Sequence, residues 1–404
     1  MTGTTVAQAI PIAISPILTR IYTPEDFGLF ALFVAITSVF GSIANGRYEL
    51  AIMLPNNDED AINVSALGII ITCILSLVLL FTLVLFNNTI CNILNNQDIS
   101  LWLYFVPLVV FLIGSFNVLN YYNTRKKQFK DISKSIIIKS IVLAVLQLVI
   151  GFIKTGVTGL ISGQIISQIF ANSRLVKNII GDKKLISAIN IRKMIFLAKR
   201  YISFPKFSMP AILANTLSLQ LTNILISAFY SLTTLGFYSL VQRVLGMPSA
   251  LIGNSIGQVF FQEATLEKKK TGQANKTFKS TVKKLIIIGL PFYIFLFFVV
   301  KDLFLFVFGE NWGQAGEYAQ ILIPLFFIRF VVSTVTSINS VFELQKVSLV
   351  WQLILLFFAI SIMILSNHYL FEFSVFLTIY AIVISLHYIV LFFLLKRISK
   401  KGQI

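Results

Sequence analysis

The chain has 404 residues, 57% of them hydrophobic and only 12% charged, with a mean hydropathy of +0.86 and a formal net charge of +17. A soluble chain is nearer a quarter charged, so these residues cannot clothe a water-facing surface of this size; lipid must replace water as the outer solvent. Cys73, Cys91, His368 and His387 show no metal spacing and no nearby acidic partner, which excludes zinc, haem and triad chemistry, and the basic residues lie in short loops between apolar runs, not in a nucleic-acid-binding patch.

A helix crosses the roughly 30 Å hydrocarbon core in about 20 residues. By that measure twelve spans are expected, at 3–19, 27–54, 62–87, 101–123, 135–153, 156–173, 207–230, 235–262, 285–308, 318–342, 347–366 and 371–395. The expected fold class is an all-α membrane protein. The first span is short, and no signal peptide with a cleavage site precedes it. The loops then assign orientation. Residues 124–134 carry Arg125, Lys126, Lys127, Lys130 and Lys134; residues 174–206 carry nine Lys or Arg, and 263–284 carry seven. The tail adds Lys396, Arg397, Lys400 and Lys401, whereas the alternate loops and span ends hold only Arg20, Lys154 and Lys301. Positive charge gathers on the cytoplasmic side, so both termini are expected there.

Within the long loop, Ile191, Met194, Ile195, Ala198 and Ile202 fall on one helical face, opposite Arg192, Lys193, Lys199 and Arg200. That pattern predicts a basic amphipathic helix lying on the anionic leaflet. Six spans precede this loop and six follow. RIYTPEDFGLFAL at 20–32 lies over AFYSLTTLGFYSL at 228–240 with an offset of 208, pairing Tyr22 with Tyr230, Thr23 with Ser231, Gly28 with Gly236 and Leu32 with Leu240. Two parallel six-span halves with a site between them are a transporter architecture. The expected division is 1–181, a linker at 182–204, and 205–404.

Ionisable residues deep in spans are costly and mark function. Arg329 lies near mid-span; Arg243 lies in the eighth span, toward the outer side. Arg47 is eight residues before Pro55, so about 12 Å from that boundary. No mid-membrane carboxylate neutralises them. Glu49, two residues from Arg47, would point elsewhere on one helix. The nearby carboxylates Glu25, Asp26 and Glu343 sit at membrane edges, and Lys139 is expected to snorkel toward Lys134. Buried arginines suit an anionic ligand, above all phosphate, although pairing with backbone carbonyls or capping a helix end is the alternative for each. Pro11, Pro16, Pro205 and Pro210 put bends in the first and seventh spans, and Asn215, Ser218, Gln220, Thr222 and Asn223 line the seventh with groups suited either to helix–helix hydrogen bonds or to a polar cavity wall.

LTRIYTPEDFGLFALF followed by GRYELAIMLPNNDEDAINV resembles the N-terminal region of the Wzx-type flippases of O-antigen and capsule repeat units, and YSLVQRVLGMPSALIGNSIGQVFFQEA resembles their eighth span. The resemblance implies two pseudo-symmetric six-helix bundles around a central cavity, the fold shared with multidrug extruders and lipid II flippases. It implies translocation of undecaprenyl-diphosphate-linked oligosaccharide to the outer leaflet of the bacterial inner membrane, for lipopolysaccharide or capsule synthesis. Arg47, Arg243 and Arg329 would then supply a cationic substrate path, with Arg20 near its outer mouth, and Glu49, Asn215, Gln220 and Asn223 as cavity or coupling residues. No cofactor or metal is implied beyond a proton or sodium gradient, and the implied partners are the lipid-linked substrate, membrane lipids, a polysaccharide polymerase and a chain-length regulator. Relatives usually begin with a short basic lead, so a truncated or alternative start is implied. The rival readings are a drug or cation extruder of the same fold, which would want a cavity carboxylate, and a membrane polymerase or glycosyltransferase, which would want a large outer loop or acidic cluster.

Overall fold

The computed structural model describes residues 2–154, 156–181 and 183–401; residue 182, where the linker is expected to begin, and the tail beyond Lys401 lie outside them. The described residues are helical with no strand. The chain forms two compact units, Met1–Leu235 and Gly236–Ile404.

In the first unit, α1 (Thr2–Ala13) and α2 (Ser15–Ile21) are separate pieces, with Pro11 inside α1 and Pro16 in the first turn of α2. Proline removes a helical N–H and crowds the preceding turn, which accounts for the break. Next, α3 (Pro24–Ile43) starts with a capping box: Thr23 Oγ1 accepts from the Asp26 N–H at 3.2 Å, and Thr23 N donates to Asp26 Oδ2 at 3.0 Å. The position aligned with Thr23 by the repeat, Ser231, caps its own helix in the same way, accepting from the Thr234 N–H at 3.0 Å. The two aligned segments thus start their helices with the same kind of N-cap.

After the short α4 (Tyr48–Ala51), α5 (Asp58–Ile93) runs 36 residues and turns Phe81, Leu77 and Ile74 outward, as a lipid-facing surface requires. Then come α6 (Ser100–Leu103), α7 (Val106–Arg125), α8 (Phe129–Ile153) and α9 (Thr158–Ile180). The two longest of these, α8 and α9, pack along each other. Gly151 and Gly159 leave room for the Tyr22 hydroxyl, which donates to the Gln147 carbonyl at 2.6 Å; a Cβ on Gly159 would overlap that hydroxyl. An apolar cavity of about 520 Å³ lies among α5, α7 and α9, lined by residues such as Ile69, Phe111, Leu119 and Val176 and by no charged side chain. It is not the cationic site expected from the sequence.

The amphipathic helix follows α10 (Lys183–Ser187) as α11 (Ile191–Arg200). Its apolar face divides in a way periodicity did not anticipate. Leu197, with Tyr201 just beyond, packs into a cluster with Tyr48, Ile52, Ile62, Val118 and Tyr122, and Met194 is also buried, while Ile191, Ile195, Phe196 and Ile202 stay exposed. One stripe docks on protein and the neighbouring stripe is free for lipid. Polar contacts fix the docking: Tyr48 Oη donates to the Ala198 carbonyl at 2.9 Å, and the Asn190 N–H donates to Asn63 Oδ1 at 2.8 Å. Lys193 Nζ donates to Glu59 Oε2 at 2.9 Å, which holds the lysine above its ordinary range. A π-helical turn at Phe204–Ser208 then leads into α12 (Met209–Phe229), which packs along α3. That contact places the seventh expected span with the first unit in packing, whereas the repeat assigns it to the second half by topology.

The second unit begins within α13 (Leu232–Leu245). A π-helical turn at Ser249–Gly253 opens into α14 (Asn254–Thr271), and the two segments are bent by 41°. The remaining elements are α15 (Asn275–Phe308), α16 (Gly313–Thr334), α17 (Ile338–Val341), α18 (Gln345–His368) and α19 (Phe373–Lys401). Edge-to-face aromatic pairs fasten one end: Phe237 with Trp312 and Tyr318, and Phe373 with Tyr238 and Tyr318. The outer face of α15 exposes Phe295, Phe298 and Phe306.

Nine helices among the described residues are long and apolar enough to cross a membrane, and the bent α13–α14 pair makes ten. The other two expected spans correspond to α1 with α2, which is interrupted, and to α9, which carries Gln164, Gln168, Asn172, Arg174 and Lys177. The protein is a multi-pass membrane protein.

Candidate functional site

In the first unit the chain reverses its handedness where α3 ends. Gly46 and Arg47 have φ of 57° and 65°. Glycine adopts the left-handed region freely, but for arginine it is strained and persists only where the surroundings enforce it. Asn45 supplies that enforcement. It is buried, and its Nδ2 donates to Thr72 Oγ1 at 2.7 Å and to the Gly114 carbonyl at 3.0 Å, tying the end of α3 to α5 and α7.

The left-handed step turns Arg47 back onto Glu49. Arg47 Nη1 and Glu49 Oε1 are 3.0 Å apart, and Arg47 Nε donates to Ser208 Oγ at 3.4 Å. Glu49 was expected to point away from Arg47, as residues two apart do on a continuous helix. That expectation is corrected: the helix is broken between them, and the two side chains form an ion pair. Glu49 is 2% exposed and Arg47 21%, so the carboxylate is the enclosed partner and the guanidinium keeps an open side. Glu49 Oε2 has no hydrogen-bond partner.

The other candidates of this unit are dispersed. Arg20 is exposed at the end of α2. On α12, Asn223 Nδ2 donates to Gln220 Oε1 at 3.2 Å one turn away, and Asn215 is half-buried. The polar stripe of α12 is thus partly satisfied by its own side chains.

Arg243 and Arg329 belong to the second unit. Both are half-buried. No carboxylate pairs with Arg329 among the described residues. Tyr238 of α13, Tyr293 of α15, and Tyr380 and Tyr388 of α19 are its electrostatic neighbours, and its guanidinium lies 5.9 Å from the Phe326 ring centroid. Tyr293 Oη donates to the Leu245 carbonyl at 3.3 Å, and Tyr238 hydrogen-bonds with Gln242 and Tyr380. A fixed cation with tyrosine hydroxyls nearby can accept an anionic group while the hydroxyls offer hydrogen bonds to a polyol.

Reasoning from the sequence found Arg329 and missed all four tyrosines. The available signal was a tyrosine hydroxyl inside an apolar run, which needs a partner when buried. Groups of His, Cys, Asp or Glu able to hold a metal ion are absent among the described residues.

Residues 17–317 match the family model described as polysaccharide biosynthesis protein. Over 313 residues the chain is 22% identical to the succinoglycan biosynthesis transport protein ExoT of Rhizobium meliloti, covering 76% of this chain and 60% of that protein. Over 135 residues it is 26% identical to the teichuronic acid biosynthesis protein TuaB of Bacillus subtilis, covering 33% of this chain and 28% of the relative. The matches thus span less than two thirds of these curated relatives. Among solved structures, an inward-facing multidrug resistance MATE family transporter of the MOP superfamily superposes with a TM-score of 0.67 at 15% identity, covering 98% of this chain and 96% of the other. The lipid II flippase MurJ in its inward closed conformation gives 0.67 at 14% identity, covering 97% and 90%. At such identities the superpositions speak for the fold. The chain belongs to the polysaccharide biosynthesis protein family and has the helical membrane fold of the MATE and MurJ transporters.

Proposed function

We propose that the protein is a flippase that moves a polyprenyl-diphosphate-linked oligosaccharide from the cytoplasmic to the outer leaflet of a bacterial inner membrane, for surface polysaccharide synthesis. Arg329 carries the reading. It is an arginine in a spanning helix with no carboxylate partner among the described residues and with four tyrosines as its electrostatic neighbours. Such a cation is costly in a membrane unless an anion visits it, and its planar fork matches phosphate or carboxylate oxygens.

Arg47 acts at the loading side, where its open face offers a first contact for the diphosphate, and Arg243 and Arg329 serve deeper positions. Arg20 lies near the outer exit, and Asn215, Gln220 and Asn223 offer hydrogen bonds along the path. Access alternates between the two sides and is driven by a proton or sodium gradient, with no covalent chemistry. The polyprenyl tail stays in the bilayer while the headgroup crosses. Handover to a polysaccharide polymerase and chain-length regulator would follow on the outer side, with both termini cytoplasmic. A cationic drug is a poor fit, because the buried Glu49 is already neutralised by Arg47.

The test is complementation of a flippase-null strain together with transport of a lipid-diphosphate oligosaccharide into the outer leaflet of liposomes. Arg329→Ala and Arg243→Ala are expected to abolish both at unchanged protein level. Normal surface polysaccharide with both arginines replaced would overturn the reading.

A further inference from the structure

In the second unit, a crevice of about 320 Å³ lies between the start of α15 and the end of α19. Phe278, Val282 and Phe392 give it an apolar floor, and Lys279, Lys283 and Lys396 share its lining. The two helix ends are fastened together there. The Ala274 N–H donates to the Ser399 carbonyl at 2.9 Å, and the Phe278 and Phe392 ring centroids are 5.9 Å apart. Both helices are long and apolar enough to cross a membrane. The 34 residues of α15 make about 51 Å of helix, against a hydrocarbon core of about 30 Å. Its first turns therefore extend into the headgroup layer.

Lys279 and Lys283 are exposed and one turn apart, about 6 Å along the axis, and Lys396 is half-buried. Among the described residues none of the three forms an ion pair. The carboxylate nearest to them along the chain, Glu267, is engaged elsewhere: it accepts from the Lys276 and Thr277 N–H groups at 3.0 and 2.7 Å and so caps α15. Like charges at this spacing repel, and an anion between them relieves the repulsion. Further along the same face of α15, Ile286, Ile287 and Leu290 are exposed. Three cations at headgroup depth followed by an apolar stripe match the two ends of an anionic amphiphile.

We propose that this crevice binds an anionic phospholipid of the adjoining leaflet, with its phosphate among the three lysines and its acyl chains along Ile286, Ile287 and Leu290. A basic pocket between spanning helices selects anionic headgroups by charge. A zwitterionic lipid fits poorly, because its own cation would face the lysines. The bound lipid fastens α15 to α19 at the membrane surface. The inference is independent of the flippase reading, since it concerns a lipid that stays in its leaflet.

Native mass spectrometry of the full chain in detergent, titrated with phosphatidylglycerol or with phosphatidylcholine of identical chains, tests the site. The natural protein is expected to bind phosphatidylglycerol on the order of a hundredfold more tightly, a factor of about five for each lysine. Lys279→Gln, Lys283→Gln and Lys396→Gln together are expected to abolish that preference while leaving phosphatidylcholine binding unchanged. Lys279→Arg, Lys283→Arg and Lys396→Arg together are expected to keep it. So is a control with Lys130→Gln, Lys269→Gln and Lys270→Gln, which removes the same charge elsewhere. Equal loss in the two glutamine variants overturns the site in favour of general surface charge. No preference in the natural protein, or an undiminished one without the three lysines, overturns it outright. Loss in the arginine variant overturns it in favour of lysines that serve the fold. Undecaprenyl diphosphate binding there more tightly than phosphatidylglycerol overturns the phospholipid in favour of a transported headgroup.

Discussion

The Arg47–Glu49 pair is open to a double-substitution cycle with an asymmetric expectation. Two unit charges about 4 Å apart attract by about 4 kcal/mol at an effective dielectric constant near 20, which is an upper bound here because Arg47 is 21% exposed. Allowing for that exposure, the coupling between the two side chains is expected at about 1–3 kcal/mol. The single variants should differ. Arg47→Gln leaves a carboxylate only 2% exposed without its counter-charge and is expected to cost about 3 kcal/mol. Glu49→Gln leaves an arginine that still donates to Ser208 and still reaches solvent, and should cost about half as much. The double variant should be less destabilised than the sum of the two. Denaturant unfolding in nanodiscs of fixed lipid composition measures all four proteins. Additivity within about 0.5 kcal/mol would refute a structural ion pair at this break and leave Arg47 as an independent surface cation.

Other substitutions separate the remaining claims. Gly159→Ala is expected to cost about 1–3 kcal/mol, since its methyl would overlap the Tyr22 hydroxyl, and Tyr22→Phe in the same protein should recover part of that loss; an unfolding midpoint unmoved by Gly159→Ala would contradict the packing. On α11, Leu197→Ala is expected to cost about 2–4 kcal/mol and the exposed Ile195→Ala less than about 1 kcal/mol, so equal midpoints would show that the helix docks by another face. Arg329→Lys keeps the charge but loses the planar fork; transport in liposomes should fall by more than tenfold, and full activity would show that Arg329 acts only as a point charge.

Much of the architecture was legible before folding. Scarce charge and long apolar runs require a membrane protein, because nothing else satisfies so many buried backbone groups without polar cover. The offset of 208 aligned Thr23 with Ser231, and both cap helices in the structure, because capping depends on residues three apart. Arg329 stood out for the same local reason: no charge lies near it along the chain.

The rest depended on contacts between residues distant in sequence. The Arg47–Glu49 pair exists because Asn45, bonded to Thr72 and Gly114, holds a left-handed break that no periodicity predicts. The tyrosines near Arg329 come from α13, α15 and α19, and only packing brings those helices to α16. Lys139 lies 5.9 Å from the ring centroid of Phe116 on α7, a contact that only the packing of α8 against α7 decides. The sequence by itself determined which residues would be buried in a membrane, because hydrophobicity and capping are local. Tertiary structure alone decided which way each buried charge faces and what it meets, because that is set by helix breaks and rotations that long-range contacts impose.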